Sequence, residues 1–116
     1  VVGCGGDRDQ AKRPKMAHIA SQLSSQAVFT SDNPRTENPQ TILDEMEVGV
    51  ASENYRKTLT VLDRRQAIKT ACKLSEAGDI ILIAGKGHED YQEINGVRAH
   101  FDDLEEVKNC FNQLKN

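Results

Sequence analysis

The sequence predicts an α/β fold in which helices cover both faces of a mostly parallel, doubly wound sheet. Short apolar runs alternate along the chain with segments of helical periodicity, as strands and crossover helices alternate in such a sheet. The run at 79–84 is almost continuously apolar, which is typical of a central parallel strand covered on both faces. Asn95-Gly96 separates two short strand-like runs, 91–94 and 97–101, and predicts a C-terminal antiparallel hairpin. The expected architecture is therefore Rossmann-like with one antiparallel edge.

The first half of the chain predicts two strands, at 1–4 and 27–30, with a helix over 12–25 between them. Four apolar residues of that helix recur at helical spacing and are expected to face the core: Met16, Ile19, Ala20 and Leu23. Asn38 followed by Pro39 predicts the start of a second helix, because Asn is a favoured N-cap and Pro suits the first helical position. This helix is expected to reach residue 50 and to bury Ile42, Leu43 and Met46.

After a polar linker at 51–55, the pattern predicts a third strand at 57–62 and a helix that Asp63 caps and Gly78 ends. The inner face of that helix is expected to hold Ala67, Ile68, Ala71 and Cys72. Asp102 with Glu105 predicts the start of the last helix. The inward residues expected of the last helix are Leu104, Val107, Phe111 and Leu114.

Composition excludes several classes of protein. The 116 residues suffice for one domain, 1–116, with a real core. The formal charge of −3 and the absence of Trp argue against a nucleic-acid surface or a membrane surface as partner. Three widely spaced cysteines (Cys4, Cys72 and Cys110) form no metal pattern and are expected to be reduced, as in the cytosol. The chain begins with Val1-Val2 and not with Met, so we expect it to be a piece of a longer protein.

The first predicted strand ends in a glycine-rich run, Gly3-Cys4-Gly5-Gly6-Asp7-Arg8-Asp9. Glycines before a helix allow a ligand to approach the backbone closely, and the helix N-terminus favours an anion. The alternative is a tight turn in which Asp9 caps the helix and Arg8 pairs with its aspartate neighbours. The spacing matches neither the Walker A loop nor the dinucleotide fingerprint. The basic residues that follow (Lys12, Arg13 and Lys15) either contact phosphate or form a solvated helix start.

The second predicted strand ends in Asp32-Asn33-Pro34-Arg35. Pro34 restricts Asn33 to extended conformations and stiffens the loop, so that Arg35 can be held ready to grip a carboxylate through two hydrogen bonds. The alternative is an ordinary turn with solvated charges, because Asp, Asn and Pro are favoured turn residues.

The apolar run at 79–84 ends in Gly85-Lys86-Gly87-His88-Glu89-Asp90. Glu89 is a candidate acceptor for an ammonium group, and Gly85 offers backbone where a side chain would clash. His88 is either a general base or a hydrogen-bonded structural group. His18 and His100 have no partners at ligand spacing, so no metal site is expected.

The three loops together predict the kind of ligand. Loops at the carboxyl ends of neighbouring parallel strands meet in one crevice, where ligands bind. Arg8, Arg35 and Glu89 in one crevice suit a small zwitterion with at least two carboxylates and an amine.

The order and spacing of these runs resemble the C-terminal domain of the Mur ligases over essentially the whole chain. The resemblance rests on the three loops, on Lys12-Arg13-Pro14, and on the extensions Thr36-Glu37 and Tyr91-Gln92. Within that family, the Asp-Asn-Pro-Arg run resembles the recognition motif for meso-diaminopimelate, and lysine-adding relatives differ there. The substrate contacts that the resemblance implies are Arg8, Asp32, Asn33, Pro34, Arg35, Gly85 and Glu89.

The resemblance also implies the reaction and the partners. The intact enzyme would have a domain for the UDP-sugar peptide, a central ATPase, and this C-terminal domain that brings the amino acid. ATP and Mg²⁺ would form an acyl phosphate on the D-glutamate of UDP-MurNAc-L-Ala-D-Glu, and an amine of diaminopimelate would attack it. Because this chain lacks a Walker A loop, both cofactors are expected on the missing central domain, and the fragment alone is expected to be inactive.

Three other functions stay open from the sequence. The glycine loop and the fold also suit a free-standing domain that binds a mononucleotide. A Mur ligase domain that selects L-lysine would keep the family and change the substrate. The charged loops could also be the solvated surface of a non-catalytic interaction module.

Overall fold

The computed structural model describes residues 1–114 and has the predicted α/β architecture. Its strands are β1 (Val2–Cys4), β2 (Ala27–Ser31), β3 (Thr58–Thr60), β4 (Tyr91–Ile94) and β5 (Val97–His100). Its helices are α1 (Lys12–Leu23), α2 (Pro39–Glu47), α3 (Arg64–Leu74) and α4 (Asp103–Leu114), with a 3₁₀ helix (Ser52–Lys57) where a polar linker was expected.

Strands β1, β2 and β3 form a parallel sheet in that order. Val2 pairs with Phe29 of β2, and Phe29 pairs in turn with Thr60 of β3, so the carboxyl ends of the three strands share one edge. Helices α1 and α2 pack with the sheet around one apolar cluster, centred on Phe29, Leu43 and Met46. Helices α3 and α4 meet the other side through a second cluster that includes Ile68 and Phe101. The sheet is therefore covered on both faces, as the fold class requires.

The segment 79–84 lies beside β1, and its predicted role as a central strand is wrong. It joins β1 through a parallel bridge between Ala84 and Val2 and through a hydrogen bond from the Val1 amino group to the Leu82 carbonyl (2.8 Å). Ile81 and Ile83 face the second cluster, but Ile80 is 94% exposed and Leu82 is 74% exposed. The apolar run therefore sits at an edge of the sheet, with one face covered and the other open among the described residues.

The buried face of α1 differs from the predicted stripe. Met16 and Ala20 pack against the first cluster, but Ile19 and Leu23 are exposed. Three other side chains of α1 are buried instead: Arg13, Ala17 and Ser21. The periodicity of apolar residues predicted the wrong buried face, because it takes no account of polar residues such as Arg13 and Ser21 that are buried here.

The predicted N-caps of α2 and α3 are confirmed, but the two helices end at Glu47 and Leu74, before the predicted ends at residue 50 and Gly78. The Asn38 side chain accepts a hydrogen bond from the Gln40 backbone N–H, and Asp63 accepts one from the N–H of Gln66. The predicted core residues of α2 are all buried, and those of α3 are buried except for the half-buried Ala71.

The predicted hairpin is confirmed: β4 and β5 pair in antiparallel fashion, and both Asn95 and Gly96 have positive φ. The predicted inner face of α4 is largely wrong. Cys110 is its buried residue and Val107 packs beside it, whereas Leu104, Phe111 and Leu114 are exposed. None of the helices in the described part of the chain is long and apolar enough to span a membrane.

Candidate functional site

The three predicted loops meet at the carboxyl edge of the sheet. The Gly6 N–H donates to the Asn33 carbonyl at 2.7 Å, which joins the first loop to the second. Gly85 has a φ of +117°, and a Cβ at this position would lie 3.0 Å from the Gly3 carbonyl oxygen. Glycine is therefore required at Gly85 both for its backbone conformation and for its close approach to β1.

The side chains of Arg8 and Arg35 both approach Gly5. A Cβ built on Gly5 would be 2.8 Å from Arg35 Nη1 and 3.6 Å from Arg8 Cγ. The missing side chain therefore leaves room for both arginines. Arg8 is exposed, and its Nη1 donates to the Asp7 carbonyl at 3.1 Å. The structure thus brings the side chains of both predicted arginines to Gly5.

Arg35 is fixed through both its backbone and its side chain. Its φ is +52°, which is uncommon for a residue other than glycine. The hairpin clamps this conformation, because the Arg35 N–H donates to the Glu93 carbonyl (3.0 Å) and the Arg35 carbonyl accepts from the Asn95 N–H (2.7 Å). Within the described residues, the side-chain hydrogen bonds of Arg35 both start at Nη1 and end on the carbonyls of Gly6 (2.9 Å) and Asn33 (3.4 Å). The rest of the planar fork can serve a ligand.

Asn33 joins the second loop to the third. Its side chain is fully buried, and its Nδ2 donates to Glu89 Oε1 at 3.3 Å. The other oxygen of Glu89 accepts from the Tyr91 hydroxyl at 3.1 Å. Glu89 is half-buried, so these two donors hold its carboxylate in one orientation beside the arginine loops.

Asp32 and Pro34 are buried and have contacts within the protein. Asp32 Oδ1 lies 2.9 Å from Lys86 Nζ, and the Asp32 carbonyl accepts from Gln92 Nε2 at 2.7 Å. The Pro34 carbonyl accepts from the Glu37 N–H at 2.9 Å and stands where a side chain on Gly6 would have to go. Their observed contacts shape the second loop.

A second buried network lies beneath the first loop and centres on Arg13. Arg13 is 1% exposed and donates to Glu37, to Glu45 and to the Gly5 carbonyl. Glu37 Oε2 also accepts from the Asp7 N–H. Hydrogen bonds from Arg13, and then from the Asp7 backbone, hold the pKa of Glu37 below its usual value. The network ties the first loop to the segment that follows Arg35, so the interpretation of Arg13 as part of a solvated helix start is wrong.

Asp7 and Thr36 add a direct link between the same two loops. The Thr36 hydroxyl donates to the Asp7 carboxylate at 2.7 Å. Hydrogen bonds from Thr36 lower the pKa of Asp7. Since Asp7 adjoins Arg8 and Thr36 adjoins Arg35, this bond helps to set the spacing of the two arginines.

The histidines do not gather in one place. His88 is exposed in the third loop, and His18 Nδ1 lies 3.1 Å from the Gly49 carbonyl. His100 Nε2 contacts Glu105 at 2.7 Å on the hairpin, and that contact raises the pKa of His100. Residues 1–114 contain no group of three or more His, Cys, Asp or Glu side chains that could hold a metal ion. The three cysteines are free and buried.

The chain is a doubly wound α/β domain whose carboxyl edge carries two arginines and a glutamate, and folds of this class bind their ligands at that edge. The family model described as "Mur ligase, glutamate ligase domain" matches residues 1–87. The chain therefore belongs to the Mur ligase family.

Several relatives are similar over nearly the whole chain. UDP-N-acetylmuramoyl-L-alanyl-D-glutamate–2,6-diaminopimelate ligases are 56% identical to it in Bacteroides thetaiotaomicron and 60% identical in Cytophaga hutchinsonii, over 97% and 98% of this chain. The solved structure of a ligase with that name aligns with a TM-score of 0.89 and 44% identity, over 98% of this chain. The chain spans only 23% and 24% of the two curated relatives and 24% of the solved chain.

Sequence reasoning missed Lys86, Arg13 and Tyr91 as parts of the site. The sequence did offer a signal for Lys86, which lies between two glycines directly after an apolar run. A lysine at the end of a strand, with no bulky neighbours, could have been predicted to point into the protein. Arg13 gave no comparable signal, since its acidic partners are 24 and 32 positions away.

Proposed function

We propose that this chain is the C-terminal, amino-acid-binding domain of a longer three-domain ATP-dependent ligase. In that role it binds meso-diaminopimelate and holds one of its amines for amide formation with UDP-MurNAc-L-Ala-D-Glu in peptidoglycan synthesis. The observation that carries the proposal is that Arg8 and Arg35 both approach Gly5, with Glu89 linked to Arg35 through Asn33.

The two arginines account for the carboxylates of the ligand. Diaminopimelate has one more carboxylate than lysine, and Arg35 can receive a carboxylate on the part of its fork that points away from Gly6 and Asn33. When lysine occupies the site, one guanidinium loses its anion. An unmet charged hydrogen bond of this kind costs roughly 1.5–3 kcal/mol, so the arrangement favours diaminopimelate.

Glu89 accounts for an ammonium group of the ligand. Its carboxylate is oriented by Asn33 and Tyr91, and orientation makes a carboxylate a directional acceptor. With the carboxylates and one ammonium held, the other amine of the ligand has a restricted position. Positioning an amine against an activated carboxyl group supplies much of the catalytic effect in such reactions.

The residues of this chain do not fit a site for ATP or Mg²⁺. The sequence has no Walker A run, and the described residues hold no metal-ligating cluster. We therefore assign both cofactors to the part of the parent ligase outside this chain and derive no step through them. We also propose that the central domain contacts this domain. The reaction would take place in the bacterial cytoplasm, where its nucleotide-linked substrates are made.

The proposal is tested with Arg35→Ala in the full-length parent ligase. We expect the KM for meso-diaminopimelate to rise about 10- to 100-fold, because a charged hydrogen-bond partner of the ligand is lost. The KM for ATP should stay within about twofold, since no ATP contact is assigned to this chain. Amino-acid-dependent ATP turnover is measured with diaminopimelate and with L-lysine.

The matched control is Arg56→Ala, which removes an exposed arginine from the 3₁₀ helix. It should leave both KM values and the preference between the two amino acids unchanged. Equal increases in the two KM values for Arg35→Ala would contradict the assigned role. A parent enzyme that prefers lysine would keep the ligase class and refute the choice of substrate.

A further inference from the structure

Lys86 is an enclosed cation of the site. Its side chain is 0% exposed, and its Nζ lies 2.9 Å from Asp32 Oδ1, 3.1 Å from Asn33 Oδ1 and 2.8 Å from the Tyr91 carbonyl. An ammonium group has three protons and no acceptor. Asn33 Oδ1 and the Tyr91 carbonyl accept two of these protons, and Asp32 Oδ1 is close enough for an ion pair. Because the side chain is enclosed, Lys86 is not available to a ligand.

These contacts fix the orientation of the Asn33 amide. Its Oδ1 accepts from Lys86 Nζ and also from the Glu93 N–H at 2.8 Å. If the amide were turned over, its NH₂ group would face an ammonium and a backbone N–H, donor against donor. The Asn33 Nδ2 must therefore point to Glu89.

Lys86 also changes which carboxylate can meet the ligand. Asp32 is 8% exposed and is paired with Lys86, so its charge is compensated within the protein. Glu89 is the more exposed of the two carboxylates, and its partners Asn33 and Tyr91 are uncharged. The negative charge available to a ligand ammonium is therefore that of Glu89.

We propose that Lys86 is a positioning residue of the amino-acid subsite: it acts through Asn33 to orient Glu89 toward the ligand ammonium. The inference rests on the proposed function for the identity of the ligand. It assigns Asp32 a role in pairing with Lys86 and gives Glu89 the ammonium contact. If Lys86 only stabilised the fold, a variant that regains the lost stability would also bind the amino acid normally.

The test uses four variants of the full-length ligase: Lys86→Met, Asp32→Asn, their double variant, and Lys73→Met as a control at an exposed lysine of α3. The measurements are the Tm without substrate and the KM values for meso-diaminopimelate and ATP. Lys86→Met leaves a buried carboxylate unpaired, so its Tm should fall by about 5 °C. The double variant removes both charges and should recover most of that loss.

The KM for diaminopimelate separates positioning from stability. We expect it to be about tenfold higher in both Lys86→Met and the double variant, because only the Glu93 N–H is then left to hold Asn33 Oδ1. Asp32→Asn alone keeps the contact between Lys86 and Asn33 and should raise that KM less than about threefold. The KM for ATP should not change in any of the four variants.

Two kinetic results would overturn the proposal. In one, the double variant recovers the diaminopimelate KM together with the Tm, which would make Lys86 a charge partner of Asp32 alone. In the other, Asp32→Asn raises that KM as much as the double variant does, which would return the ammonium contact to Asp32.

An unmodified ligase that responds to neither amino acid would refute the proposed function and not the role of Lys86. The position of Asn33 is then read from a crystal structure of the double variant. A lost contact between Asn33 and the Glu93 N–H supports positioning by Lys86, and a retained contact overturns it.

Discussion

The two ends of the sheet differ in which side chains are buried. At the carboxyl edge, the charged residues Lys86, Arg13 and Arg64 are buried. At the amino edge, the apolar residues Ile80 and Leu82 are exposed, beside a groove that Leu23 and Leu74 also line. Both ends belong to the same short sheet, so hydropathy alone does not decide which residues of this chain are buried.

The difference shows that partners determine burial at the carboxyl edge. Each buried cation there has a carboxylate and at least one carbonyl oxygen within hydrogen-bonding distance, so its desolvation is offset. At the amino edge, the outer face of segment 79–84 has no helix over it among the described residues. The carboxyl edge is therefore held together by specific partners, whereas we expect the amino edge to tolerate substitution.

The largest expected effect comes from Arg64, at the start of α3. Arg64 pairs with Asp103 at 2.8 Å and donates to the Ser31 carbonyl at 3.2 Å. Arg64→Met should lower the free energy of unfolding by about 3–5 kcal/mol, because a buried pair is broken from one side. The measurement is urea denaturation of the chain.

The adjacent residue Arg65 is the control for this prediction. Arg65 is 60% exposed and pairs with Glu106. Arg65→Met should cost less than about 1 kcal/mol, as exposed ion pairs do. Similar losses for the two arginines would remove the distinction between a buried charge network and an ordinary charged surface.

Two isoleucines give the next largest contrast and test the amino edge. Ile68 is fully buried in the second cluster, and Ile80 is 94% exposed. Ile68→Ala should cost about 2–5 kcal/mol, and Ile80→Ala should stay within about 0.5 kcal/mol. Denaturant titrations of both variants under the same conditions measure the difference. A large loss for Ile80→Ala would mean that the outer face of 79–84 is covered.

Two glycines separate stability from the geometry of the site. A Cβ would lie 1.8 Å from the Pro34 carbonyl oxygen at Gly6 and 1.8 Å from the Pro14 carbonyl oxygen at Gly49. Gly6→Ala and Gly49→Ala should therefore each cost about 1–3 kcal/mol, since backbone must move in both cases. Thermal melts of both variants check this.

Only Gly6→Ala should also raise the KM for diaminopimelate in the parent ligase, because it separates the loops of Arg8 and Arg35. An equal KM for the two variants would argue that the loop contact is dispensable.

The smallest expected effect is a pH dependence at the exposed hairpin. The hydrogen bond to Glu105 raises the pKa of His100 in the folded chain. The pair therefore stabilises the chain fully below the unfolded pKa of about 6.5, and this contribution disappears as the pH rises through the folded pKa. His100→Gln should lower stability slightly at acidic pH and leave it unchanged at alkaline pH. Unfolding curves of both proteins across this range measure the difference, and a constant offset would exclude the titration of His100 as its cause.

Local sequence chemistry was a reliable guide to the starts of helices, to the hairpin and to the places where the three charged loops interrupt the fold. Asn38, Asp63 and Asn95-Gly96 all behave as predicted, because a cap or a tight turn depends on bonds within a few residues. The loops of Arg8, Arg35 and Glu89 were predicted to meet because each follows a predicted strand and the ends of parallel strands converge, and the structure brings these loops together.

The tertiary structure alone decided which residues of these elements are buried and what holds the site. Segment 79–84 is apolar whether it lies at the centre or at the edge of the sheet, and only its neighbours decide whether Ile80 is covered. The sequence shows that Arg13 and Lys86 are cations, but the desolvation cost of burying them is offset only by partners that are distant in the chain. The sequence by itself therefore determined the fold class and which charged loops stand at the carboxyl edge. The supporting network was decided by contacts between residues far apart in the chain, which no local pattern records.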